Sequence, residues 1–346
     1  MPWWKRSGSR RLTRSRRLLL WSLGVLLGAA ILWFTPTPYY VTAPGVAIDT
    51  SQVVAVEGGT PHPGRLYMLV VTTRPANLFW YLYSRIDPRA ELERPQQFLG
   101  DIPDYEHYLM ITRRMMEDSQ KTAKALALQW TGYGTGVQPV GAEVVSVIPG
   151  SPAAGVLQPG DRIIAVDGHL VTGAADLQER MGQVSPGSQV VLRLRRGDVE
   201  LTLPVSTMPA TDAGGRRRAA LGVYITDALA FDLPLNVEIR SGSITGPSAG
   251  LMFALEIIDQ LSPTDLTGGR RVAGTGAIEP DGRVGAVGGV RQKVYTAEAA
   301  GAEVIFVPRE NYQEALSAAV RIQVVPVSTL KEAVQYLAGS AAPQGA

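Results

Sequence analysis

Two residues of the chain are suited to bond-breaking chemistry, a serine in a glycine-rich loop and a lysine 45 positions later. Gly246-Pro247-Ser248-Ala249-Gly250 fits G-x-S-x-G, a turn that exposes a nucleophilic serine before a helix. Hydrolases built on this elbow place a histidine base after the serine in the chain. Here His62, His107 and His169 all precede Ser248, so we expect another group to take the serine's proton.

Lysine is the candidate base. The chain has five lysines against 28 arginines, and only Lys293 and Lys331 follow residue 124. A lysine in an apolar pocket can lose its proton near neutral pH, whereas an arginine stays charged. Lys293 follows a Gly-Gly bend in the first turn of a predicted helix, where burial and the helix end would both lower its pKa. A solvated surface lysine is the alternative interpretation of this position.

Ser328-x-x-Lys331 is a second serine and lysine pattern, similar to the S-x-x-K of penicillin-binding enzymes. The chain has neither S-D-N nor K-T-G, and Ser328 suits the N-cap of a last helix. We therefore give this pair a structural interpretation.

Composition excludes several other kinds of site. The 346 residues include no cysteine, so disulfides, thiolate metal sites and a cysteine nucleophile are excluded. Three histidines far apart in the chain do not indicate a metal centre, and we expect neither a metal nor a cofactor. A net charge of +2 does not indicate a nucleic-acid partner. With 45% hydrophobic residues, the chain can form two or three domains with sizeable cores.

An apolar segment near the N-terminus predicts a membrane anchor. Residues 18–34, LLLWSLGVLLGAAILWF, have no charge, and residues 1–17 carry seven basic residues and no acidic one. The segment can just span a bilayer, and the basic arm would remain cytoplasmic. We therefore expect a single-pass protein of the cell membrane with its catalytic domain outside the cytoplasm. A cleaved signal peptide is the alternative, although no A-x-A site follows.

Helices and strands must position the serine and the lysine. Pro and Gly at short intervals over residues 35–63 predict a linker with one or two short strands. Hydrophobic periodicity predicts a buried strand over residues 66–71 and an amphipathic helix over 108–130. Beyond residue 236 the pattern predicts further elements: strands over 236–239, 275–278 and 304–307, and helices over 248–261, 290–300 and 330–337.

Residues 131–207 resemble a PDZ domain, and the phrase GSPAAGVLQPGDRIIAVDG at 150–168 carries the resemblance. It implies that an extended peptide or a C-terminus binds as an added strand beside a helix near residues 174–181. Tyr133 and Gly134 are the nearest candidates for the loop that captures a carboxylate. A domain linker is the alternative interpretation of the glycines around them.

The region around the serine and the lysine resembles the proteolytic domain of Lon. GPSAG, the run TGAIEPDGRVGAVGGVRQK at 275–293 and AGAEVIFVPREN at 300–311 carry the resemblance. It implies that Ser248 is the nucleophile, that Lys293 is its partner and that Thr275 hydrogen-bonds the lysine. Two positions depart from the family pattern, since Thr245 and Ala277 stand where the family commonly has an acid. They put acid-assisted tuning of the site in doubt.

Backbone around the serine is expected to serve the reaction as well. The turn formed by Gly246, Pro247, Ser248 and Ala249 opens a helix, whose N–H groups can stabilise an oxyanion. Its glycines would let a substrate backbone approach closely.

Together these features predict an α+β protein with an N-terminal transmembrane helix, a PDZ domain and a Lon proteolytic domain, a mixed sheet with packed helices. The resemblance also implies that the PDZ domain is inserted into the protease domain. The expected segments are a basic arm at 1–17, the membrane helix at 18–34, a linker and first part of the protease at 35–130, the PDZ domain at 131–208, the catalytic domain at 219–338 and a disordered tail at 339–346.

The predicted function is a membrane-anchored serine endopeptidase that uses a Ser-Lys dyad and acts on unfolded or extended peptide segments. We expect it to work without ATP, because the chain has no G-x-x-x-x-G-K-[ST] motif and no Gly-Lys pair. The resemblance to Lon also suggests a homo-oligomeric ring, with six subunits. The alternative is a catalytically silent, membrane-tethered PDZ scaffold or adaptor.

Overall fold

The computed structural model describes residues 14–100, 102, 104–211 and 217–341. Contacts divide the chain into two compact units. The first comprises the described residues up to Ala123 together with those from Val237 onward, and the second is Lys124–Asn236. The second unit thus interrupts the first in sequence. Residues 1–13 of the basic arm and 342–346 of the tail lie outside the described residues.

The first unit begins with four helices and four strands. They are α1 Arg14–Phe34, β1 Pro36–Asp49, β2 Val54–Val56, β3 Arg65–Asn77, α2 Leu78–Tyr83, β4 Glu91–Glu93, α3 Pro95–Leu99 and α4 Tyr105–Trp130. The helix expected over 108–130 and the strand expected over 66–71 lie within α4 and β3.

The expected linker over 35–63 is wrong for its first half, where the chain forms the 14-residue strand β1. Pairing with β3 shifts register between Pro36 and Tyr40 and again between Pro44 and Ala47. Prolines are compatible with a strand at its first residue and at a bulge, where no ladder hydrogen bond needs their N–H. The Pro and Gly signals therefore marked irregularities in a strand.

The predicted transmembrane helix is also wrong, and with it the placement in the cell membrane. No helix in the described part of the chain combines the length and the hydropathy that a bilayer crossing requires. Although α1 has 21 residues, its charge-free part is only residues 18–34. At about 1.5 Å per residue this part covers about 25 Å, short of the roughly 30 Å of hydrocarbon.

The second unit is an open sheet with its own hydrophobic core. Its elements are β5 Val137–Val147, β6 Arg162–Val166, β7 His169–Leu170, α5 Ala174–Gly182, β8 Gln189–Arg196, β9 Val199–Ser206, β10 Met208–Thr211, β11 Arg217–Ala220 and β12 Val223–Phe231. The main strands lie in the order β12-β5-β6-β8-β9. Asp161 is almost fully buried and pairs with Arg196 through two hydrogen bonds of 2.7 Å.

The chain then returns to the first unit. The elements there are β13 Val237–Ile239, α6 Gly250–Leu261, β14 Arg271–Gly274, β15 Ala277–Ile278, β16 Val284–Gly285, α7 Val290–Ala299, β17 Val304–Pro308, α8 Tyr312–Ala318, β18 Gln323–Val327 and α9 Leu330–Ala341. The strands expected over 236–239 and 304–307 and the helices expected over 248–261, 290–300 and 330–337 correspond to β13, β17, α6, α7 and α9. The strand expected over 275–278 is only the two-residue β15, and β14, α8 and β18 were not predicted. The last helix continues to Ala341, into the expected tail.

A six-stranded mixed sheet organises the first unit, in the order β18-β17-β14-β3-β1-β4. Strands β18, β17, β14 and β3 are mutually parallel, and β1 is antiparallel to both β3 and β4. Helices α6 and α7 cover opposite faces. A Cβ on Gly274 would lie 2.3 Å from Met252 Sδ of α6, whereas the preceding Ala273 packs with Val290 and Val294 of α7. Successive residues of β14 thus face the two helices.

Candidate active site

A gap opens in the sheet where β14 ends. This strand pairs with β3 from Arg271 to Gly274 only, and the amide of Gly276, the next residue on the β3 side, donates to Ser248 O. β3 continues for nine residues beyond Met68, the partner of Gly274. Side chains from the α6 face and the α7 face can therefore meet through the sheet at this point.

Ser248 reaches the gap from the start of α6. It lies in a single 3-10 turn, Pro247–Ala249, that follows Gly246 with a φ of 88°. Positive φ is a conformation that glycine adopts without strain, which explains the residue type. The turn is held by α4, because Gly246 N donates to Thr112 O at 2.9 Å and Ser119 Oγ donates to Pro247 O at 3.0 Å.

Close packing fixes the same turn from its other side. A Cβ on Gly250 would lie 2.7 Å from Ile278 Cγ2 and 3.2 Å from the backbone N of Ile278. Only glycine therefore lets the first residue of α6 lie against β15. The two outer glycines of GPSAG thus have separate structural reasons, one in backbone conformation and one in packing.

Lys293 reaches the gap from α7. Its side chain is only 2% exposed, and its Nζ donates to Thr275 Oγ1 at 2.9 Å. Burial lowers the pKa of Lys293 to about 7, although the carboxylate of Glu314 acts in the opposite direction. Desolvation penalises the charged ammonium, so near neutral pH a large fraction of this amine is unprotonated.

Thr275 links the serine turn to the lysine. Its side chain is fully buried, and its Oγ1 accepts from Lys293 Nζ while donating to Ser248 O at 3.1 Å. The neighbouring Gly276 N also donates to Ser248 O, at 2.8 Å. The backbone of the serine and the amine of the lysine are thus held by one threonine.

A cleft of about 320 Å³ contains the site. Ser248 and Lys293 both line it, together with a stretch of β3, the first half of α4 and the loop before the serine turn. The lining residues are Met68, Leu69, Val70, Val71, Thr72, Thr73, Tyr105, Tyr108, Leu109, Met116, Ser243, Ile244, Thr245, Gly246, Ser248, Ala249 and Lys293. A hydroxyl and an amine of lowered pKa in one half-enclosed cleft can carry out nucleophilic attack with proton transfer.

Sequence reasoning missed the residues that hold the two reactive side chains in place. Ser119 and Thr112 look like ordinary members of an amphipathic helix, and nothing local shows that they bond the serine turn. Asn311 accepts from Val287 N at 2.9 Å and donates to Val287 O at 3.1 Å, which clamps the bend before α7. The only signal for Asn311 was its position within the resembling run at 300–311.

In the second unit, Tyr133 and Gly134 lie in the turn that ends α4. Tyr133 is 52% exposed, and both amides donate to Leu128 O, at 2.8 and 3.2 Å. Those amides therefore cap a helix, whereas carboxylate capture needs free N–H groups.

Strand β12 stands at one end of the second unit's sheet, beside α5. Asp227 of β12 accepts from Ala174 N at 2.7 Å, which ties the strand to the first turn of the helix. Gly222, with a φ of 82°, enters β12 directly after Leu221. An edge strand beside a helix is the arrangement in which PDZ domains add a peptide.

Comparison with known families identifies both parts of the chain. The family model of the Lon protease (S16) C-terminal proteolytic domain matches residues 220–338, and that of the PDZ domain matches residues 111–207. The chain has a Lon-type proteolytic domain and a PDZ domain. Ser248, Thr275 and Lys293 all lie within the segment that matches the Lon-type domain.

The curated relatives match part of the chain. The chain is 29% identical over 155 residues to the Lon protease of Mesomycoplasma hyopneumoniae, which is 41% of this chain and 17% of the relative. It is 33% identical over 129 residues to Lon protease of Roseiflexus castenholzii, 37% of this chain and 16% of the relative. It is 34% identical over 109 residues to Lon protease 2 of Bacillus subtilis, which is 31% of this chain and 19% of the relative. The chain thus spans less than a fifth of each relative's length.

Among solved structures, the chain is similar to the PDZ domain of an SdrC-like protein from Listeria monocytogenes. That match is 26% identical, covers 25% of this chain and 87% of the other, and has a TM-score of 0.23.

Proposed function

We propose that the chain is a serine endopeptidase in which Ser248 is the nucleophile and Lys293 the general base. The observation that supports this most is the state of the amine. It is buried, its pKa is lowered to about 7, and it lines the same cleft as the serine. A base with a pKa near the working pH is the most effective one, because it is both available and strong enough.

In the proposed reaction, neutral Lys293 accepts the proton of the Ser248 hydroxyl as its oxygen attacks a peptide carbonyl. The ammonium formed then returns the proton to the leaving amine, and an acyl-enzyme remains. In the second half, water gives a proton to Lys293 as it attacks the ester, and the ammonium returns that proton to the Ser248 oxygen as the C–O bond breaks and the acid product leaves. Thr275 holds the amine through the 2.9 Å hydrogen bond, so its lone pair can point towards the serine.

The oxyanion would be stabilised by backbone at the start of the serine turn. Pro247 has no N–H, and the Gly246 amide is already bonded to Thr112 O. The Ser248 amide, at the positive end of the helix, is therefore the donor we assign to the oxyanion. Ala249, next in the turn, lies in the cleft wall.

The PDZ domain supports a peptide substrate for the whole chain. We propose that an extended peptide adds to β12, with Leu221, Gly222 and Val223 at the end that receives a carboxylate. Loose or unfolded segments are the expected substrates, because the chain carries no phosphate-binding loop for an ATP-driven unfolding step. Cleavage therefore proceeds without ATP.

Incubation with unfolded casein tests the proposal. We expect the parent chain to cleave casein and the Ser248→Ala variant to be inactive, with EDTA and withheld ATP making no difference. Ser248→Ala removes only one oxygen, so circular dichroism and the melting temperature should match those of the parent. Cleavage that persists in this variant would mean that the serine is not the nucleophile. No cleavage by the parent, together with peptide binding, would instead support the silent scaffold.

A further inference from the structure

In the core of the first unit, the hydroxyl of Thr50 lies between a side-chain carboxyl group and a main-chain carbonyl. Thr50 is fully buried, and Glu256 of α6 is only 3% exposed. Thr50 Oγ1 lies 2.6 Å from Glu256 Oε2 and 2.9 Å from Leu66 O. Both are hydrogen-bond distances, yet a threonine hydroxyl has one hydrogen to donate. A carbonyl cannot supply the second hydrogen, so it can come only from the carboxyl group.

Leu66 O depends on the Thr50 hydroxyl for its hydrogen. Leu66 is 2% exposed, and buried carbonyls are normally paired. The preceding residue, Arg65, donates its amide to Arg270 O on the β14 side, so Leu66 turns its own groups towards β1. There β1 ends at Asp49, one position before the residue opposite Leu66. The hydroxyl therefore takes the place of a main-chain bond at the end of the ladder.

The other oxygen of Glu256 is fixed as an acceptor by Gln260. Gln260 Nε2 donates to Glu256 Oε1 at 2.7 Å and to Val54 O at 3.0 Å. Its Oε1 accepts from Val56 N at 3.1 Å. The opposite orientation of this amide would place oxygen against Val54 O and N–H against the Val56 amide, so the assignment is unambiguous. The carboxyl proton therefore belongs on Oε2, facing Thr50.

The charged groups around Glu256 favour the same protonated form. Burial raises the pKa of Glu256, and the carboxylates of Asp259 and Asp49 add to the increase, although its two hydrogen-bond partners oppose it. Glu256 lines a cavity of about 300 Å³ together with Asp259, Arg65 and His62. Arg65 pairs with Asp49 at 3.2 Å, and the ring of His62 bonds a main-chain carbonyl at 3.2 Å. Neither basic group therefore neutralises a charge on Glu256.

We propose that Glu256 is a neutral carboxylic acid that donates to Thr50, which donates to Leu66 O, and that loss of its proton opens this latch between α6 and β3. The cavity gives the proton a route to solvent. When it leaves, the Thr50 hydrogen turns to the carboxylate, and Leu66 O loses its donor. Since α6 directly follows the serine turn and β3 lines the cleft from Met68 onward, the latch joins two elements beside the cleft.

The Glu256→Gln variant of the full chain tests where the proton is. The glutamine amide can donate to Thr50 and accept from Gln260, as the neutral acid does, but it cannot ionise. In the parent, the folded pKa lies above the ordinary value of 4.5, so between these values the folded chain binds one proton that the unfolded chain lacks. The parent's unfolding constant should therefore rise relative to that of Glu256→Gln, by up to about tenfold per pH unit in this window.

Urea unfolding from pH 5 to 9 measures both constants. A ratio that stays constant or falls as the pH rises would overturn the proposal. Glu117→Gln is the matched control, because Glu117 is exposed on α4 and the substitution removes the same charge. This variant should unfold with the pH dependence of the parent.

The proton can also be observed directly by infrared spectroscopy at pH 6, where ordinary glutamates are ionised. The difference between the parent and Glu256→Gln should contain the band of one carboxylic acid. Thr50→Val should shift this band, because the acid loses its acceptor, whereas Thr50→Ser keeps the hydroxyl and should leave it in place. A carboxylate band, or an acid band that is the same in Thr50→Val, would overturn the proposal.

Hydrogen exchange measures the opening of the latch. At pH 5 the amides of α6 and of the start of β3 should exchange at the same rate in the parent and in Glu256→Gln. At pH 9 they should exchange faster in the parent, and equal protection there would show that the proton does not hold the two elements together. None of these measurements uses cleavage, so the latch and the proposed function can fail separately.

Discussion

Lys293 is the residue on which the proposed chemistry of the cleft depends. Its amine is buried and has a single hydroxyl as hydrogen-bond partner in the described structure, Thr275 Oγ1. Burial of this kind disfavours the charged form, which reduces stability but prepares a base. The same desolvation therefore affects the pH dependence of both activity and stability, in ways that can be measured separately.

The pH profile of cleavage is the first consequence. Because the base must be neutral and its pKa is about 7, kcat/KM should rise tenfold per pH unit below pH 7 and level off above it. Initial rates with a short peptide from pH 5 to 9 measure this profile. A profile that is flat across pH 7 contradicts a lysine base.

Replacement of the amine should separate stability from activity. In the parent, the folded pKa of about 7 lies below the unfolded value of 10.5, so the unfolded chain binds more protons between these values. The free energy of unfolding should thus rise with pH in this window, by about 1.4 kcal/mol per pH unit from this group. Lys293→Met should be inactive, lack this rise and be the more stable protein at pH 7. Urea unfolding of both proteins at pH 7 and pH 9 provides the comparison, and equal pH dependence would count against the buried amine.

Removal of the Thr275 hydroxyl should move the pH profile of cleavage, which a simple loss of folding would not do. Thr275→Val keeps the shape but removes the oxygen that accepts from the ammonium, so the pKa of Lys293 should fall further. We expect kcat to drop at least about tenfold and the acid limb of the profile to move to lower pH. Thr275→Ser keeps the hydroxyl and should retain the parent's limb. An unmoved limb in the valine variant would show that Thr275 does not contact the base in solution.

The early end of β14 is what brings the two reactive residues together. If β14 continued beside β3 past Gly274, its backbone would fill the gap where the serine turn and Lys293 meet. Pairing with β3 ends there because the amide of Gly276, the next residue on the β3 side, donates to Ser248 O. A short strand thus creates the cleft.

The bend before α7 is held by one side chain, which gives a prediction for that helix. Asn311→Ala removes both hydrogen bonds to Val287, so the start of α7 and Lys293 should lose their fixed position. Cleavage should fall about tenfold, since small displacements of a catalytic group are costly, while the free energy of unfolding drops by about 1 to 2 kcal/mol. Ser317→Ala, on the exposed side of α8, is the control and should change neither. Parent-like kinetics in Asn311→Ala would show that this clamp does not position Lys293.

The two proposed tasks, cleavage and peptide capture, belong to different units of the chain. Ser248, Thr275 and Lys293 belong to the first unit, and the edge strand beside α5 belongs to the second. A destabilising substitution in the core of the second unit should therefore reduce the capture of protein substrates and leave cleavage of a short peptide in the cleft unchanged. The ring of six subunits stays a prediction.

Asp161 is a suitable position for such a substitution. Asp161→Asn disrupts the buried pair with Arg196, which should cost the second unit about 2 to 4 kcal/mol. Hydrogen exchange should then rise in β6 and β8, casein cleavage should fall, and cleavage of a short peptide should persist. Glu200→Gln breaks only the exposed pair with Arg193 and is the control. Loss of short-peptide cleavage in Asp161→Asn would show that the cleft depends on the second unit.

The sequence predicted those features whose cause is local. GPSAG requires glycine for a positive φ at Gly246 and for close packing at Gly250, so its residues already indicate a serine turn before a buried helix. The Gly-Gly bend before Lys293 is equally local. The scarcity of lysine left Lys293 and Lys331 as the lysines that follow Ser248, and the Gly-Gly bend favoured Lys293 as the candidate base.

Only the tertiary structure decided the features that the sequence did not predict, because those features depend on contacts between residues far apart in the chain. Prolines that read as a linker belong to β1, since strand pairing with β3 tolerates them at its first residue and at a bulge. A 17-residue apolar run read as a membrane span, but no described helix reaches the required length and hydropathy. Ser119 bonds Pro247 of the serine turn, 128 positions away, and Tyr105 bonds Thr73, 32 positions away. No local pattern encodes such contacts, because they exist only once the sheet has brought α4 beside the cleft.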